Sequence, residues 1–248
     1  MISILVSIYN NEQYLNQFVD CILKQTYSNF EVLIVDDKST DNTLKLLKKK
    51  TLMDKRFKIF ENSKRVGLTY NLNYLISKAK GEYIARLDPD DYWYPKKLLY
   101  QLNFLKLNKN IQMVGCQGFL FKNNKEYKRT NYPTTSKEIK SKLKYQNLIL
   151  HSSILIRSSI IKKNLYNYNF FYLQDYELWC RLSDKYRLSN LNKILVKINY
   201  KDTLNIKKLC YVLKIKIKIL YTLNLTKKFF YSCHIVIYTL KMLFKLRI

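Results

Sequence analysis

Two aspartates one residue apart come directly after a run of apolar residues. The run covers residues 82–87, and the turn Asp88-Pro89-Asp90-Asp91 follows it. Two carboxylates at this spacing can hold a divalent cation together with a diphosphate, and Mg²⁺ or Mn²⁺ prefers such oxygen ligands. A solvated turn whose aspartates cap the next helix would explain the same residues. The place of this turn in the fold therefore decides between a metal site and a cap.

A second acidic pair, Asp36-Asp37, follows another apolar run at residues 31–35. A carboxylate at this position can accept a hydrogen bond from the imide N–H of a uracil base. Asp36 also suits a purely structural role as a capping residue. The two acidic turns together favour a site for an anionic, nucleotide-like ligand.

The elements that must position these turns alternate along the N-terminal part of the chain. Apolar runs of strand length are followed by segments with helical spacing of apolar residues. The predicted strands cover 2–8, 31–35, 57–60 and 82–87, and the predicted helices cover 11–25, 43–50, 68–78 and 95–107. This alternation predicts an α/β fold with a mainly parallel, Rossmann-like sheet flanked by helices, whose ligands bind at the carboxyl ends of the strands. Both acidic turns fall at those ends.

The pattern loosens after residue 110, where strands are predicted near 111–115 and 153–157 and a helix over 175–183. We therefore divide the chain into three parts. An N-terminal half that carries both acidic turns covers 1–110, a second half of the same domain covers 111–204, and basic, apolar C-terminal helices cover 205–248.

Composition excludes several classes of protein. The 248 residues are 48% apolar and 15% aromatic, enough for a sizeable core, and they include only four glycines and three prolines. Collagen-like, linker-rich and many-turned β architectures are therefore excluded. The net charge of +27 predicts an anionic partner, although a general bias toward Lys, Asn, Ile and Tyr would also explain it. We expect no nucleic-acid partner, because the charge is spread along the chain and acidic turns occupy the ligand edge.

The C-terminal part combines charge with apolar side chains. Residues 201–248 contain eleven Lys or Arg against one acid, Asp202. The segment 229–240 is too short for a membrane span but suits a helix that lies in the membrane interface with its lysines reaching toward the headgroups. Packing of these helices on the catalytic domain is the alternative.

The five cysteines are scattered and the N-terminus resembles no signal peptide. We therefore expect a cytoplasmic protein that binds peripherally to an anionic surface at the inner face of the cytoplasmic membrane.

Three runs of residues carry a family resemblance. They are Ser7-Ile8-Tyr9-Asn10, the segment 34–43 (IVDDKSTDNT) and the segment 80–91 (KGEYIARLDPDD). In this order and spacing they resemble the nucleotide-binding half of the family 2 glycosyltransferases with the GT-A fold. The resemblance extends more loosely to His151-Ser152-Ser153 and to 174–182. It implies an inverting transferase that uses a divalent metal, Mn²⁺ or Mg²⁺. It also implies that 1–110 is the nucleotide-sugar-binding half and 111–204 the acceptor-side half of the same catalytic domain.

The resemblance also implies roles for individual residues. Asp90 would bind the metal with Asp88 as an auxiliary ligand, while the loop after the first strand and Asp37 would hold the base. His151 is a further candidate for a metal or diphosphate contact, although it also suits a structural role. The residues implied in nucleotide-sugar binding are Ser7, Tyr9, Asn10, Asp37, Arg65, Arg86 and Asp88.

Asp175 falls where the family keeps its catalytic base, in a motif whose first acidic position is here Gln174. Asp175 also suits the N-terminal cap of a helix, which does not exclude catalysis. The Gln-x-x-Arg-Trp pattern of processive synthases does not occur, so we expect one sugar to be added per encounter. The expected donor is a UDP-hexose or UDP-N-acetylhexosamine, and the expected acceptor is a glycan, lipid-linked, in lipopolysaccharide, capsule or related surface-polysaccharide synthesis.

Two alternatives remain. A nucleotidyltransferase could share the sheet and the metal site, but it would need a Gly-rich phosphate loop after the first strand, and the first glycine is Gly67. A non-catalytic sugar-nucleotide-binding partner on the same scaffold would not need Asp37, Asp88, Asp90 and Asp175 together.

Overall fold

A computed structural model describes residues 1–122, 125–200, 206–221 and 225–246 of the chain. Its N-terminal half alternates strands and helices as predicted, with a short 3-10 helix, Glu12–Tyr14, before the first α-helix. The strands are β1 (Ile2–Ile8), β2 (Phe30–Asp36), β3 (Phe57–Glu61), β4 (Tyr83–Arg86) and β5 (Tyr92–Trp93). The helices are α1 (Leu15–Leu23), α2 (Thr43–Thr51), α3 (Leu68–Lys78) and α4 (Lys97–Leu107).

The remainder of the chain adds both strands and helices. A second 3-10 helix, His151–Ser153, lies in this part. The strands are β6 (Ile111–Lys122), β7 (Lys125–Arg129), β8 (Leu155–Arg157) and β9 (Arg187–Asn199). The helices are α5 (Ser136–Leu143), α6 (Ser158–Ile161), α7 (Gln174–Lys185), α8 (Ile206–Tyr221) and α9 (Leu225–Leu246).

The nine strands of the described residues form one sheet in the order β3-β2-β1-β4-β8-β6-β9-β5, with β7 paired to β6. The first four strands in this order are parallel to one another, as are β6 and β9. Strand β8 runs antiparallel to both of its neighbours. The α/β fold with its flanking helices is therefore confirmed, and the sheet is mixed because the second half adds antiparallel pairs.

Both faces of the sheet are covered. Successive side chains of a strand point to opposite faces, so alternate residues of β1 enter two different cores. Ile4 packs with Phe18 of α1 and Leu98 of α4 on one face. Leu5 packs with side chains of α3 and α7 on the other. Because helices cover both faces of the sheet, the ends of its strands are the part that remains open to ligands.

The C-terminal helices pack on this domain. Leu209 and Ile215 of α8 and Tyr231 of α9 are buried, so for these residues the packing alternative holds. The proposed boundary between residues 204 and 205 lies outside the described residues, as do the side chains of Phe229 and Phe230. Within the described segments, every helix is too short or too polar to cross a bilayer.

Candidate active site

Two loops at the carboxyl ends of β1 and β2 hold each other in place. The Asn10 Oδ1 atom accepts a hydrogen bond of 2.8 Å from the Thr40 amide, and the Asn10 amide donates to Ser39 Oγ over 3.0 Å. Asn10 and Lys38 both adopt left-handed backbone conformations, with φ of 49° and 66°. Such conformations are uncommon outside glycine and concentrate at functional turns. The sheet edge is therefore fixed by its own loops.

Asp37 fixes the segment that leads into α3. Its carboxylate is 3% exposed and accepts hydrogen bonds of 2.8 Å from Asn62 Nδ2 and 2.9 Å from the amides of Val66 and Gly67. Burial alone would raise the pKa of Asp37, but these donors outweigh it and the pKa lies below its usual value. Gly67 adopts φ of 92°, a conformation that suits glycine. Asp37 is therefore an ionised group that shapes the ligand edge, and its contact with a base stays a prediction.

A chain of side-chain hydrogen bonds connects Asp37 to β1. Asn62 Nδ2, which donates to Asp37, also lies 2.8 Å from Asn71 Oδ1, and Asn71 Nδ2 donates to Ser7 Oγ over 2.9 Å. The structure therefore places Ser7 and Asp37 in one network, although they belong to separate segments of the sequence. Asn62 and Asn71 were not predicted as site residues, because an isolated Asn carries no sequence signal.

Tyr9 and Arg65 also lie together at this edge. The guanidinium carbon of Arg65 lies 3.9 Å from the centre of the Tyr9 ring, a cation–π contact. A guanidinium that contacts an aromatic ring can still donate its N–H groups to an anionic partner. Five of the predicted donor-binding residues thus occupy one end of the site, and they are Ser7, Tyr9, Asn10, Asp37 and Arg65.

The second acidic turn lies at the end of β4. Arg86 is 2% exposed, and its guanidinium donates hydrogen bonds to both carboxylate oxygens of Asp88. Arg86 Nε has no hydrogen-bond partner within the described part of the chain. The side chain of Asp88 remains 34% exposed, so it faces the open edge while Arg86 lies beneath it. The structure pairs these two predicted residues with each other.

Ser152 connects the members of this turn. Its Oγ accepts hydrogen bonds of 3.0 Å from the Asp88 amide and 3.2 Å from Arg86 Nη1, and it donates to Asp91 Oδ2. Asn199, at the end of β9, donates from its amide to Asp91 Oδ1 over 2.8 Å and lies 3.4 Å from Asp90 Oδ2 through Nδ2. Neither Ser152 nor Asn199 was predicted, because their partners lie far from them in the sequence.

The acidic turn fits a divalent cation. Burial, followed by the charges of Asp88 and Asp90, raises the pKa of Asp91 well above its usual value. The turn thus concentrates negative charge that a cation would offset. No group of three or more His, Cys, Asp or Glu within the described residues could hold a metal by itself. Mg²⁺ and Mn²⁺ commonly use one or two carboxylates and complete their shell with phosphate oxygens and water, which suits Asp90 with Asp88.

Asp175 lies in the first turn of α7, on an element remote in sequence from the acidic turn. Asn147 Nδ2 donates to Asp175 Oδ2 over 2.9 Å. Burial raises the pKa of Asp175, against the opposing effects of the Tyr176 amide, Asn147 and the charge of Arg86. A carboxylate with a raised pKa is a better proton acceptor, as a general base requires.

Asp175 interacts electrostatically with groups from other parts of the chain. The charge of Arg86, the last residue of β4, opposes the burial that raises the pKa of Asp175. Burial raises the pKa values of Tyr132 before α5, Tyr166 before α7 and Cys180 within α7, and the charge of Asp175 adds to each of these shifts. Leu173, immediately before α7, has φ of 58°, a strained conformation for a branched side chain. The fold therefore brings the predicted base and the acidic turn into one electrostatic environment.

His151 lies beside the acidic turn, but its hydrogen bond among the described residues goes to a tyrosine. Its Nε2 atom lies 2.8 Å from Tyr166 Oη, and its ring packs edge-on against Trp179. Burial, then the charge of Arg86, holds the pKa of His151 well below its usual value, so the ring is neutral at neutral pH. A neutral imidazole keeps one nitrogen as an acceptor, and the role of His151 toward a metal stays a prediction.

With this geometry established, the comparisons with known proteins identify the family. The chain belongs to glycosyltransferase family 2, because residues 3–165 match the model of that family. It is 32% identical over 190 residues, 75% of this chain and 71% of the relative, to the Escherichia coli UDP-Glc:α-D-GlcNAc-diphosphoundecaprenol β-1,3-glucosyltransferase WfaP. The family resemblance seen in the sequence is therefore confirmed.

Two further comparisons set the extent of the match. An uncharacterised glycosyltransferase of Haemophilus influenzae is 28% identical over 211 residues, and the chain spans 64% of its length. The crystal structure of Staphylococcus aureus TarS 1-349 in complex with UDP-GlcNAc superimposes with a TM-score of 0.72 at 19% identity, covering 94% of this chain and 70% of TarS 1-349. At that identity the likeness supports the GT-A fold.

Proposed function

We propose that this chain transfers one sugar from a UDP-sugar to a lipid-linked glycan, with inversion at the anomeric carbon. The observation that carries the proposal is the placement of Asp175, a carboxylate with a raised pKa, in the same electrostatic environment as the acidic turn of Asp88 and Asp90. A base and a leaving-group site must stand on opposite sides of a sugar ring for an inverting displacement. Two carboxylate sites on separate elements around Arg86 suit that requirement.

The donor end is assigned to the edge formed by β1 and β2. Ser7, Tyr9, Asn10 and Asp37 would hold the base and ribose, and Arg65 would meet the diphosphate. WfaP uses UDP-Glc and TarS binds UDP-GlcNAc, which supports a UDP-hexose or UDP-N-acetylhexosamine as the donor.

The reaction exchanges one C–O bond for another. The acceptor hydroxyl oxygen attacks the anomeric carbon while Asp175 takes the hydroxyl proton, and the bond from that carbon to the diphosphate oxygen breaks with its electron pair leaving on UDP. A base held in this position contributes roughly 100-fold to 10,000-fold in rate. A divalent metal held by Asp90, with Asp88 beside it, would offset the negative charge that develops on the departing diphosphate.

The acceptor and the location follow from the relative and from the C-terminal helices. WfaP acts on a diphosphoundecaprenol-linked sugar, so we infer a lipid-linked acceptor in surface-polysaccharide synthesis. Val236, Ile237 and Leu240 of α9 are more than half exposed, and residues 201–248 carry eleven Lys or Arg against one acid. This combination suits an anionic membrane surface, where each basic residue contributes about 1 kcal/mol, and it supports a peripheral site at the inner face of the cytoplasmic membrane.

The test is a transfer assay on the full chain. UDP-Glc, UDP-Gal and UDP-GlcNAc are each incubated with a GlcNAc-diphosphate-lipid, with Mn²⁺ or with EDTA, and UDP release and product mass are measured. NMR of the product establishes the anomer and hence inversion. UDP-sugar binding without transfer to any acceptor would favour the non-catalytic partner. Pyrophosphate release from a nucleoside triphosphate and a sugar phosphate would favour the nucleotidyltransferase.

A further inference from the structure

The C-terminal helices contact the turn that carries the hydrogen-bond donor of Asp175. Lys216 of α8 is fully buried, and its Nζ donates to the Tyr145 carbonyl over 3.1 Å. Tyr231 of α9 is 1% exposed, and its hydroxyl donates to the Lys144 carbonyl over 2.7 Å. Both carbonyls precede Asn147 by only two or three residues. Two helices from the end of the chain thus fix the backbone on which Asn147 is carried.

Helix α8 also contacts α7 two residues beyond Asp175. Lys218 Nζ lies 3.2 Å from Oε1 of Glu177, a residue that is 2% exposed in the first turn of α7. Arg181 Nη2 holds the other carboxylate oxygen at 3.2 Å. Glu177 follows Asp175 by two residues. The C-terminal helices therefore contact both elements that set the position of this carboxylate, namely α7 and the turn before Asn147.

Simple packing does not account for Lys216. A buried ammonium loses its hydration, and burial lowers the pKa of Lys216 to about 8. An apolar side chain of similar size would fill the space without that loss. The ammonium keeps three partial replacements for water. They are the Tyr145 carbonyl and the rings of Tyr238 and Tyr231, whose centres lie 4.6 Å and 5.9 Å away. Compared with an apolar side chain of the same volume, the Lys216 ammonium adds a directed hydrogen bond to the Tyr145 carbonyl.

We propose that Lys216 and Tyr231 are positioning residues that hold the 144–147 turn so that Asn147 orients Asp175. This inference rests on the proposed function, in which Asp175 is the base. The C-terminal helices would then be part of the catalytic unit in addition to binding a membrane surface.

The experiment uses four substitutions in the full chain. Tyr231→Phe removes only the hydroxyl that donates to Lys144, and Lys216→Met removes the ammonium but keeps an unbranched side chain. Thr239→Val is the matched control in α9, because the Thr239 hydroxyl donates within its own helix, to the Ile235 carbonyl over 2.8 Å. Lys214→Met is the control in α8, where Lys214 is exposed and its ammonium lies over the Tyr211 ring.

We expect Tyr231→Phe and Lys216→Met to lower kcat by roughly tenfold or more with an unchanged KM for the UDP-sugar, because small displacements of a catalytic group cost rate steeply. Asn147 stabilises the ionised form of Asp175, so a weaker donation raises the pKa of Asp175. The acid limb of the kcat–pH profile therefore moves to higher pH. Both control variants keep the wild-type kcat and the wild-type acid limb.

Two results would overturn the inference. One is that Tyr231→Phe and Lys216→Met have the same kcat, and the same acid limb of the kcat–pH profile, as the control variants. The other is a joint loss of kcat, UDP-sugar affinity and thermal midpoint, which would give the helices a purely structural role. If the wild-type chain transfers no sugar, the proposed function fails. The positioning role is then tested by a measurement that needs no enzymatic activity. Carboxyl ¹³C NMR, assigned with Asp175→Asn, measures the pKa of Asp175, and an equal value in wild type and Tyr231→Phe overturns the positioning role.

Discussion

Ser152 is the side chain whose removal tests the architecture of the acidic turn most directly. Ser152→Ala deletes one oxygen, which bonds the Asp88 amide at 3.0 Å, Arg86 Nη1 at 3.2 Å and Asp91 Oδ2. Arg86 retains Asp88 as a partner. Most of the lost stability therefore comes from the Asp88 amide and the Asp91 oxygen, which each lose a hydrogen-bond partner. A buried polar group left without a partner costs about 1–3 kcal/mol, and the amide is only partly buried, so we expect a loss of about 2–4 kcal/mol in unfolding free energy.

The neighbouring serine supplies the control. Ser153 is equally buried, but its hydroxyl donates to the Leu150 carbonyl over 2.8 Å, and that carbonyl also accepts from the Ser153 amide at 3.0 Å. Ser153→Ala removes the same oxygen, leaves that carbonyl with a partner, and takes from the Cys116 amide only a long hydrogen bond of 3.4 Å. Its expected cost is about 1 kcal/mol, the usual net value of one hydrogen bond.

Urea denaturation measures the difference through intrinsic fluorescence. The chain has two tryptophans, Trp93 and Trp179, and both are buried. Trp93 Nε1 donates to the Ser152 carbonyl over 2.6 Å, so its emission reports on this region. In transfer assays the Mn²⁺ concentration for half-maximal rate should rise in Ser152→Ala and stay unchanged in Ser153→Ala. Equal stability losses in the two variants would refute the role given to Ser152.

Three further substitutions test other parts of the site and core. Asp90→Asn should abolish metal-stimulated transfer, and full wild-type activity in EDTA would contradict the metal assignment. Asp175→Asn should lower kcat by roughly 100-fold or more and keep UDP-sugar affinity, because a base acts in the transition state; affinity lost in proportion to rate would indicate a structural role. Burial lowers the pKa of Lys97 from 10.5 to about 7. Between these values the unfolded chain binds more protons, so the free energy of unfolding should rise with pH, and Lys97→Met should remove that part of the rise. Parallel profiles for wild type and Lys97→Met in urea denaturation from pH 7 to pH 10 would disprove this linkage.

The fold of the N-terminal half, residues 1–110, could be predicted because its signals are local. Helical and strand periodicity lies within each segment, and the predicted helix 68–78 coincides with α3. The acidic turns follow apolar strands in the sequence, and in a parallel sheet that order places them at one edge. Strands β7 and β9 were missed for a physical reason. All five residues of β7 are exposed, and β9 carries Lys and Asn among its apolar residues, so neither shows the alternation of a half-buried strand.

The sequence by itself determined the fold class and the family and predicted the candidate carboxylates, since each depends on residues that are close together in the chain. The tertiary structure decided which groups surround those carboxylates. Ser152 and Asn199 bond Asp91 across 61 and 108 residues, and Asn147 reaches Asp175 across 28. Lys216 reaches the Tyr145 carbonyl across 71 residues. A single polar side chain carries no periodic or local signal, and its hydrogen-bond partner is fixed only when the strands and helices pack, so these contacts became visible only in the folded chain.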